Sequence, residues 1–255
     1  MSIRRSFSLE GRRALVTGAS RGLGRAIALA LATAGADVVC ASTTPEGSSE
    51  TASAIRETGR EAWQVGADLS DRAAVRRLSE ETDALAGRID ILVNSAGTIR
   101  RHPAVEFPLE DWDLVLRTNL DAVFLLCRHF GAGMIERRSG KIINIASLLS
   151  FTGGITVPAY AAGKHAVAGL TKALANEWAE HNVQVNAIAP GYFRTDNTQA
   201  LQDHPERSKS ITERIPAGRW GEPSDLGGAA VFLASSASDY VNGHVLVVDG
   251  GWTAR

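Results

Sequence analysis

The stretch Arg13-Ala-Leu-Val-Thr-Gly-Ala-Ser-Arg-Gly-Leu-Gly24 decides the fold of this 255-residue chain. Its first five residues have the apolar pattern of a short buried strand, and the glycines after them break that strand. A helical pattern runs from Arg25 to Ala34, and Asp37 to Ala41 reads as a second strand. Strand, glycine turn, helix and strand form a βαβ unit, whose parallel strands are joined by a right-handed crossover.

The same alternation of strand and helix patterns continues to the end of the chain. Seven strand patterns separated by helical ones indicate an α/β fold, a doubly wound sheet of seven parallel strands flanked by helices. One long helical pattern extends from about Leu109 to Arg137. Since no Pro/Ser-rich linker interrupts the alternation, we predict a single Rossmann-type domain over residues 1–255. The long polar stretch at about 192–215 is typical of a substrate lid.

Composition and charge exclude several classes of function. The 27 basic and 28 acidic side chains nearly cancel, so nothing favours nucleic acid or an anionic membrane as a partner. Cys40 and Cys127 lie within apolar patterns and are expected to be buried free thiols, and no histidine has metal-ligand spacing, so we expect no metal. Met1 to Ser8 is basic without a following apolar core, and the apolar run Ala26 to Ala34 is too short to span a membrane. These features predict a cytoplasmic protein.

Three glycines lie where the first strand turns into the first helix. Glycine in such a turn lets the backbone approach a pyrophosphate, and the helix N-terminus offers free N–H groups to phosphate. We therefore predict that a dinucleotide binds at this turn. The predicted contacts are Gly18, Ser20, Arg21, Gly22, Leu23 and Gly24.

Two further strand ends complete the predicted cofactor site, because open α/β sheets bind ligands at the carboxyl ends of their strands. Asp68 and Leu69 follow the third strand, where the Asp68 carboxylate either accepts a hydrogen bond from an adenine amino group or caps a helix. Asn94, Ala96 and Gly97 follow the fourth strand, where small residues let a ribose lie close.

The end of the second strand leaves the choice between NAD and NADP open. An acidic residue there would bind the ribose 2′-hydroxyl and repel a 2′-phosphate. The chain has Ser42 and no acid in residues 41–44, and Arg21 is within reach of a 2′-phosphate. The local chemistry therefore tolerates NADP without enforcing it.

Tyr160 and Lys164 lie four residues apart, which places them on the same face of a helix. The ammonium group is expected to lower the pKa of the phenol, so that Tyr160 exchanges a proton near neutrality. Ser147 follows an apolar strand pattern and is expected to hold a substrate oxygen beside the phenol. The alternative interpretation is an exposed tyrosine and lysine on a surface helix.

Polar residues in two loops are candidate substrate contacts, although a solvated surface position is the more common role for each of them. Arginine suits a carboxylate because its fork binds both oxygens. Trp252, near the C-terminal end, is interpreted as a contact between subunits. The substrate candidates are Arg100, Arg101, His102, Ser147, Leu149, Tyr192, Asn197, Gln199 and Arg219.

Motifs over nearly the whole chain resemble those of one enzyme family. They are Thr17-Gly-Ala-Ser-Arg-Gly-Leu-Gly24, Asn94-Ser-Ala-Gly97, Asn119, Ser147, Tyr160-x-x-x-Lys164 and Pro190-Gly-Tyr-Phe-Arg-Thr195. In order and spacing they resemble the short-chain dehydrogenase/reductase superfamily.

The resemblance implies an NAD(P)-dependent oxidoreductase acting on CH–OH groups. Its implied catalytic residues are Asn119, Ser147, Tyr160 and Lys164, with Asn119 holding a water that links Lys164 to solvent. The resemblance also implies that Tyr160 and Lys164 contact the cofactor. The residues implied beside the nicotinamide are Pro190, Gly191, Phe193 and Thr195.

Within the superfamily, Ala96-Gly-Thr-Ile-Arg-Arg101 and Arg214-Ile-Pro-Ala-Gly-Arg-Trp-Gly221 resemble the deoxy-sugar-acid dehydrogenases more than the fatty-acyl reductases. That resemblance implies a sugar-acid substrate, a usual preference for NAD, and a homotetramer. The rival activities are those of a gluconate 5-dehydrogenase or a 3-oxoacyl-thioester reductase. A nicotinamide-sensing protein without catalysis is the alternative from a different class.

Overall fold

A seven-stranded parallel sheet lies at the centre of residues 3–255, which the computed structural model describes. The strand order is β3-β2-β1-β4-β5-β6-β7. This arrangement confirms the predicted fold class. The strands are β1 Arg13–Thr17, β2 Asp37–Ser42, β3 Ala62–Gly66, β4 Ile91–Asn94, β5 Gly140–Ile145, β6 Val183–Pro190 and β7 Val245–Val248.

Helices connect the strands and cover the sheet. They are α1 Ile3–Ser6, α2 Gly22–Thr33, α3 Ser49–Glu57, α4 Arg72–Ala86, α5 Leu109–Leu116, α6 Ala122–Glu136, α7 Pro158–Trp178, α8 Gln199–Gln202, α9 Pro205–Arg214 and α10 Gly227–Ala234. None of the helices in the described range combines the length and apolar character that a membrane crossing requires. Met1 and Ser2, which begin the segment interpreted as lacking a signal peptide, lie outside the described residues.

Each face of the sheet has its own apolar core. On one face, side chains of α2, α3 and α10 such as Ile27, Ile55 and Leu233 pack against the strands. On the other face, α4, α6 and α7 contribute side chains such as Leu78 and Met134. Burial on both faces explains why β4 and β6 are buried along their full lengths.

The strand order reverses direction beside β1. From β1 the chain adds β2 and β3 on one side, and β4 then pairs with the opposite edge of β1, with Val16 opposite Val93. Helices that leave β1 and β4 therefore diverge to opposite faces of the sheet. The gap between them at the carboxyl ends is where doubly wound sheets bind ligands.

The long helix predicted from Leu109 to Arg137 is interrupted in the structure. A π-helical turn over Arg117–Asp121 separates α5 from α6. Such a turn adds one residue to a helical repeat without changing the apolar pattern much, so periodicity alone did not indicate it. The other predicted boundaries differ by a few residues; α2, for example, begins at Gly22 rather than Arg25.

The segment predicted as a substrate lid is helical for much of its length. It contains α8 and α9 and a 3₁₀ turn over Asp196–Thr198. Ile211 and Ile215 attach it to Trp220 in a small apolar cluster of their own.

Candidate active site

A crevice of ≈ 400 Å³ opens at the carboxyl ends of the central strands. Segments far apart in sequence form its walls. Most of the predicted cofactor-binding residues line it, namely Gly18, Ser20, Arg21, Gly22, Leu23, Gly24, Ser42, Asp68, Leu69, Ala96, Gly97 and Thr195.

The turn after β1 requires glycine at two positions. Gly18 has a φ of +68°, and a Cβ there would lie 2.9 Å from Ala96 Cα. A Cβ on Gly24 would lie 2.1 Å from the Gly18 carbonyl oxygen. Because these side chains are absent, α2 begins directly at the crevice, where the N–H groups of its first turn have no partner within the helix.

Thr17 joins the turns that follow β1 and β4. Its Oγ1 accepts hydrogen bonds from the backbone N–H groups of Ser95, at 3.0 Å, and Ala96, at 3.1 Å. This fixes the small residues that border the crevice. Sequence reasoning did not assign this role to Thr17, although a hydroxyl at the last residue of β1 was the available signal.

Asp68 does not cap the helix that follows it. Its Oδ1 accepts hydrogen bonds from the backbone N–H and the hydroxyl of Ser70, at 2.9 and 2.8 Å, and these bonds hold the pKa of Asp68 below its ordinary value. The N-cap of α4 is Asp71, which accepts a hydrogen bond from the Ala73 N–H. Asp68 therefore stands exposed at the crevice as a carboxylate.

Asn94 corrects one cofactor prediction. Its side chain points into the core, where Nδ2 donates to Asn144 Oδ1 at 2.9 Å and lies 3.3 Å from Cys127 Sγ. Strand alternation directs this side chain to the face of the sheet that α6 covers, whereas Ala96 and Gly97 line the crevice. Asn144 donates in turn to Thr171 Oγ1 at 3.0 Å, so the chain of bonds ends on α7.

Ser147 follows β5 and presents its hydroxyl group beside α7. Its Oγ accepts a hydrogen bond from the Leu149 N–H at 3.1 Å, which leaves the hydroxyl hydrogen for another acceptor. The neighbouring Ser150 hydroxyl donates to the Lys164 carbonyl oxygen at 2.6 Å. This bond fixes the turn that carries Ser147 and Leu149 against α7.

Lys164 is buried, with 5% of its surface exposed. Its Nζ donates to the Ile145 carbonyl oxygen at 2.5 Å and lies 5.6 Å from the centroid of the Tyr160 ring. Burial lowers the pKa of this amine to about 8, because the charged form loses hydration.

Tyr160 adjoins Lys164 and is half-buried, and it is not among the residues that line the crevice. Burial raises the pKa of its phenol, while the interaction with Ser147 and the charge of Arg101 act in the opposite direction. The expectation that Lys164 brings this pKa below its ordinary value is therefore wrong for the structure. The ammonium group donates to a carbonyl, and the loss of hydration outweighs the nearby charges.

Asn119 lies in the π-helical turn and is fully buried. Its Oδ1 accepts from the Thr98 N–H at 2.8 Å and its Nδ2 donates to the Thr98 carbonyl oxygen at 2.9 Å. A Cβ on Gly97 would lie 3.3 Å from Asn119 Oδ1 and 4.0 Å from Lys164 Nζ, so these groups meet around one glycine. The predicted water-holding role of Asn119 stays a prediction.

Two adjacent arginines lie in the loop after β4 and differ in their contacts. Arg100 lines the crevice and is engaged by Asp111 at 3.2 Å and by the Thr98 hydroxyl at 3.1 Å. Arg101 is exposed, and within the described residues no acidic side chain lies within 4.0 Å of it. Its charge nevertheless acts on Tyr160.

Two of the predicted substrate contacts interact with other side chains of the protein. The Arg219 guanidinium binds Asp225 through two hydrogen bonds of 2.6 and 3.1 Å, so it supports the turn before α10. Tyr192 packs its ring against Trp220 and Trp252, with centroid distances of 5.5 and 4.6 Å. Trp252, interpreted above as a subunit contact, thus has a partner within the chain. Asn197 does line the crevice.

The residues implied beside the nicotinamide divide into two groups. Pro190 ends β6, and a Cβ on Gly191 would lie 2.7 Å from Asp249 Cα, so this turn is closely packed. Phe193 is buried in the core and only its backbone is available. Thr195 borders the crevice, 3.5 Å from the position of a Cβ on Gly22.

Comparison with known proteins agrees with this geometry. A family model described as enoyl-(acyl carrier protein) reductase matches residues 18–253. The 2-dehydro-3-deoxy-D-gluconate 5-dehydrogenase of Bacillus subtilis (strain 168) is 54% identical over 250 residues, which are 98% of each chain. The chain belongs to the short-chain dehydrogenase/reductase family.

Solved structures of other short-chain dehydrogenases/reductases are similar over their full length. An Agrobacterium tumefaciens protein with bound NADP, provisionally named a 2-deoxy-D-gluconate 3-dehydrogenase, is 55% identical, with a TM-score of 0.92 and coverage of 98% of this chain and 99% of that one. The gluconate 5-dehydrogenase of Burkholderia cenocepacia J2315, in complex with NADP and tartrate, is 44% identical, with a TM-score of 0.95 and coverage of 100% of both chains.

Membership in the short-chain dehydrogenase/reductase family makes the chain an NAD(P)-dependent oxidoreductase that acts on CH–OH groups. This confirms the predicted enzyme class and the predicted type of cofactor. Sequence reasoning missed several crevice residues, notably Thr98, Leu114, Thr118 and Asp196. Thr98 and Asp196 lie within or directly after quoted motifs but were given no role, whereas Leu114 and Thr118 belong to no motif and reach the crevice only in the folded chain.

Proposed function

We propose that this enzyme interconverts a hydroxyl and a ketone on a deoxy sugar acid of the 2-dehydro-3-deoxy-D-gluconate or 2-deoxy-D-gluconate type. The observation that carries the proposal is the convergence of Ser147, Tyr160 and Lys164, where Lys164 adjoins Gly97 in the wall of the crevice at the strand ends. The 54% identity to the Bacillus subtilis enzyme supports this substrate class.

The crevice fits a nicotinamide dinucleotide. A cradle without side chains at Gly18, Gly22 and Gly24 lies against the N-terminus of α2, which suits a pyrophosphate. The exposed Asp68 carboxylate suits an adenine amino group. When bound, the nicotinamide supplies the hydride chemistry.

The chain's own residues handle the substrate oxygen and its proton. Ser147 has a hydroxyl hydrogen available for the substrate oxygen, since its Oγ already accepts from Leu149. Tyr160 removes the hydroxyl proton in oxidation and returns it to the ketone oxygen in reduction. Lys164, fixed by the Ile145 carbonyl, would hydrogen-bond to the nicotinamide ribose, and below about pH 8 it places a positive charge beside the phenol. Asn119 holds the water through which Lys164 exchanges protons with solvent.

A carboxylate substrate agrees with the charge around the crevice. Arg101 is exposed near Tyr160, and Arg100 lines the crevice wall. Arginine binds carboxylates through paired N–H groups. We infer that residues 192–215 cover the substrate, with Asn197 facing its hydroxyl groups.

The chemistry at the end of β2 supports use of NADP as well as NAD. Ser42 and Thr43 line the crevice there without an acidic neighbour on the strand, and Arg21 lines the same space. The related Agrobacterium tumefaciens and Burkholderia cenocepacia structures contain NADP.

We further propose a cytoplasmic homotetramer. Several large apolar side chains stand exposed on α5, on α6 and in the segments before α5 and α7, where a second subunit would cover them. They are Val105, Leu109, Phe124, Phe151 and Ile155. Light scattering of the purified protein measures the number of subunits directly, and a monomer at micromolar concentration would contradict the proposal.

The substrate is tested by assaying a panel of sugar acids with NAD and with NADP. We expect the highest kcat/KM on a deoxy sugar acid. Preference for gluconate or 5-keto-gluconate would instead support a gluconate 5-dehydrogenase, and turnover of a 3-oxoacyl thioester alone would remove the substrate proposal.

Catalysis itself is tested by Tyr160→Phe. Loss of the phenol should lower kcat by about 10²- to 10⁴-fold, because general acid/base catalysis contributes that much, while cofactor binding persists. Tyr240→Phe is the matched control, since Tyr240 is fully exposed. Wild-type protein that binds cofactor but turns over no substrate in the panel would support the nicotinamide-sensing alternative.

A further inference from the structure

An ion pair spans the mouth of the cofactor crevice. Arg21 Nε lies 2.8 Å from Asp196 Oδ2, and the two side chains are 73% and 70% exposed. Arg21 belongs to the glycine turn before α2, whereas Asp196 opens the 3₁₀ turn of the 192–215 segment. Both residues line the crevice together with Ser42 and Thr43.

Hydrogen bonds within its own turn fix the position of Asp196. Thr195 and Thr198 form a reciprocal capping box around this turn, and the Thr198 hydroxyl also donates to the Phe193 carbonyl oxygen at 2.6 Å. Since Phe193 is buried in the core, the turn that carries Asp196 is attached to the body of the protein. The Asp196 carboxylate is thus held beside Arg21 rather than free to drift.

We propose that Asp196 is a positioning residue that sets the preference between NAD and NADP. Its carboxylate, paired with Arg21, places on the opposite wall of the crevice the negative charge that the end of β2 lacks. This inference rests on the proposed function in one respect, namely that a dinucleotide occupies the crevice with its ribose near Ser42. A ribose 2′-hydroxyl tolerates that charge, whereas a 2′-phosphate is disfavoured by it.

The Asp196–Arg21 pair has two opposing effects on the affinity for a ribose 2′-phosphate. Asp196 contacts Nε and leaves the outer guanidinium nitrogens of Arg21 available, which orients the fork for a phosphate. It also places a negative charge beside the same fork, and a 2′-phosphate carries up to two negative charges. Orientation by one exposed hydrogen bond is worth little, while the repulsion scales with both charges. The net effect of Asp196 is therefore to weaken the binding of a 2′-phosphate.

The test is the affinity for NADPH and NADH, measured by fluorescence titration without any sugar acid. Asp196→Asn should tighten NADPH binding by about three- to fivefold at low salt and leave NADH binding unchanged, since exposed ion pairs act in this range. The gain should shrink at high salt, because exposed charges are screened. Asp196→Glu, which keeps the charge, should bind both cofactors as the wild type does.

A matched control separates this effect from the overall loss of one negative charge. Glu80→Gln removes the carboxylate that pairs with another exposed arginine, Arg76, and neither residue lines the crevice. It should leave the NADPH/NADH ratio unchanged. Unchanged or weaker NADPH binding by Asp196→Asn, or an equal change for NADH, would overturn the inference. A failed sugar-acid panel would remove the proposed substrate yet leave this binding ratio measurable.

Discussion

At the scale of single residues, the ionisation of Tyr160 is a balance between burial and a few neighbours. Loss of hydration raises the pKa of the phenol, and the Ser147 hydroxyl and the Arg101 guanidinium oppose that rise. Lys164 is uncharged above about pH 8, since burial lowers the pKa of its amine to about 8. The charge that faces the phenol in alkaline solution is therefore that of Arg101.

Arg101→Gln tests this balance. Removing the charge raises the pKa of Tyr160, so the acidic limb of the kcat/KM profile for alcohol oxidation should move to higher pH. Rates measured over a pH series report the shift. Arg128→Gln, on α6 beside Phe124, provides a control with the same loss of charge. A profile displaced equally in both variants, or displaced to lower pH by Arg101→Gln, would contradict this assignment.

At the scale of secondary-structure elements, close contacts between helices depend on which residues lack side chains. Helix α10 packs against α2, where a Cβ on Gly227 would lie 2.9 Å from Ala30 Cβ. The next residue, Gly228, is exposed, and a Cβ there would meet no atom within 4 Å. The packing of α10 against α2 thus requires glycine at position 227, whereas position 228 has room for a side chain.

Alanine at these two positions should change the free energy of unfolding in opposite directions. Gly227→Ala forces the two helices apart and should destabilise the protein by about 1–3 kcal/mol, as overpacking does. Gly228→Ala removes chain entropy from the unfolded state and should stabilise it by about 0.5–1 kcal/mol. Urea unfolding of both variants measures the difference. Two changes of the same sign would show that the contact with Ala30 does not limit the packing.

At the scale of the whole molecule, the active site affects global stability. A buried lysine with a pKa lowered from 10.5 to about 8 binds fewer protons in the folded chain than in the unfolded one between those values. Stability therefore rises with pH through that window, and below about pH 8 the buried charge carries its full cost. The catalytic role that we propose for the amine accounts for the retention of this cost.

Lys164→Met should exchange activity for stability. Below pH 8 it should raise the free energy of unfolding by about 2 kcal/mol, after allowance for the lost hydrogen bond to Ile145, while turnover falls sharply. The gain should shrink as the pH rises toward 10.5. Urea titrations at several pH values test this, with Lys172→Met on the exposed side of α7 as the control. Destabilisation at neutral pH would contradict the assigned cost.

The number and the parallel direction of the strands were predictable from the sequence, because apolar runs between helical patterns imply a parallel sheet. The glycine turn and the Tyr160–Lys164 pair were predictable because each depends on residues close in sequence. Contacts between distant segments were not. No local pattern shows that Asn94 turns inward to Asn144 or that Asp196 meets Arg21.

The chain of amide and hydroxyl groups from Asn94 through Asn144 to Thr171 is buried between the sheet and α7, whereas Arg100, Arg101 and Asn197 lie in segments that follow the carboxyl ends of the strands. Under the proposed function, substrate selectivity and the alignment of α7 therefore depend on different layers of the protein. Mutagenesis of the segments after the strands can recruit new polyols while the buried layer keeps α7 aligned with the sheet. An apolar replacement in that buried layer would impair every substrate alike.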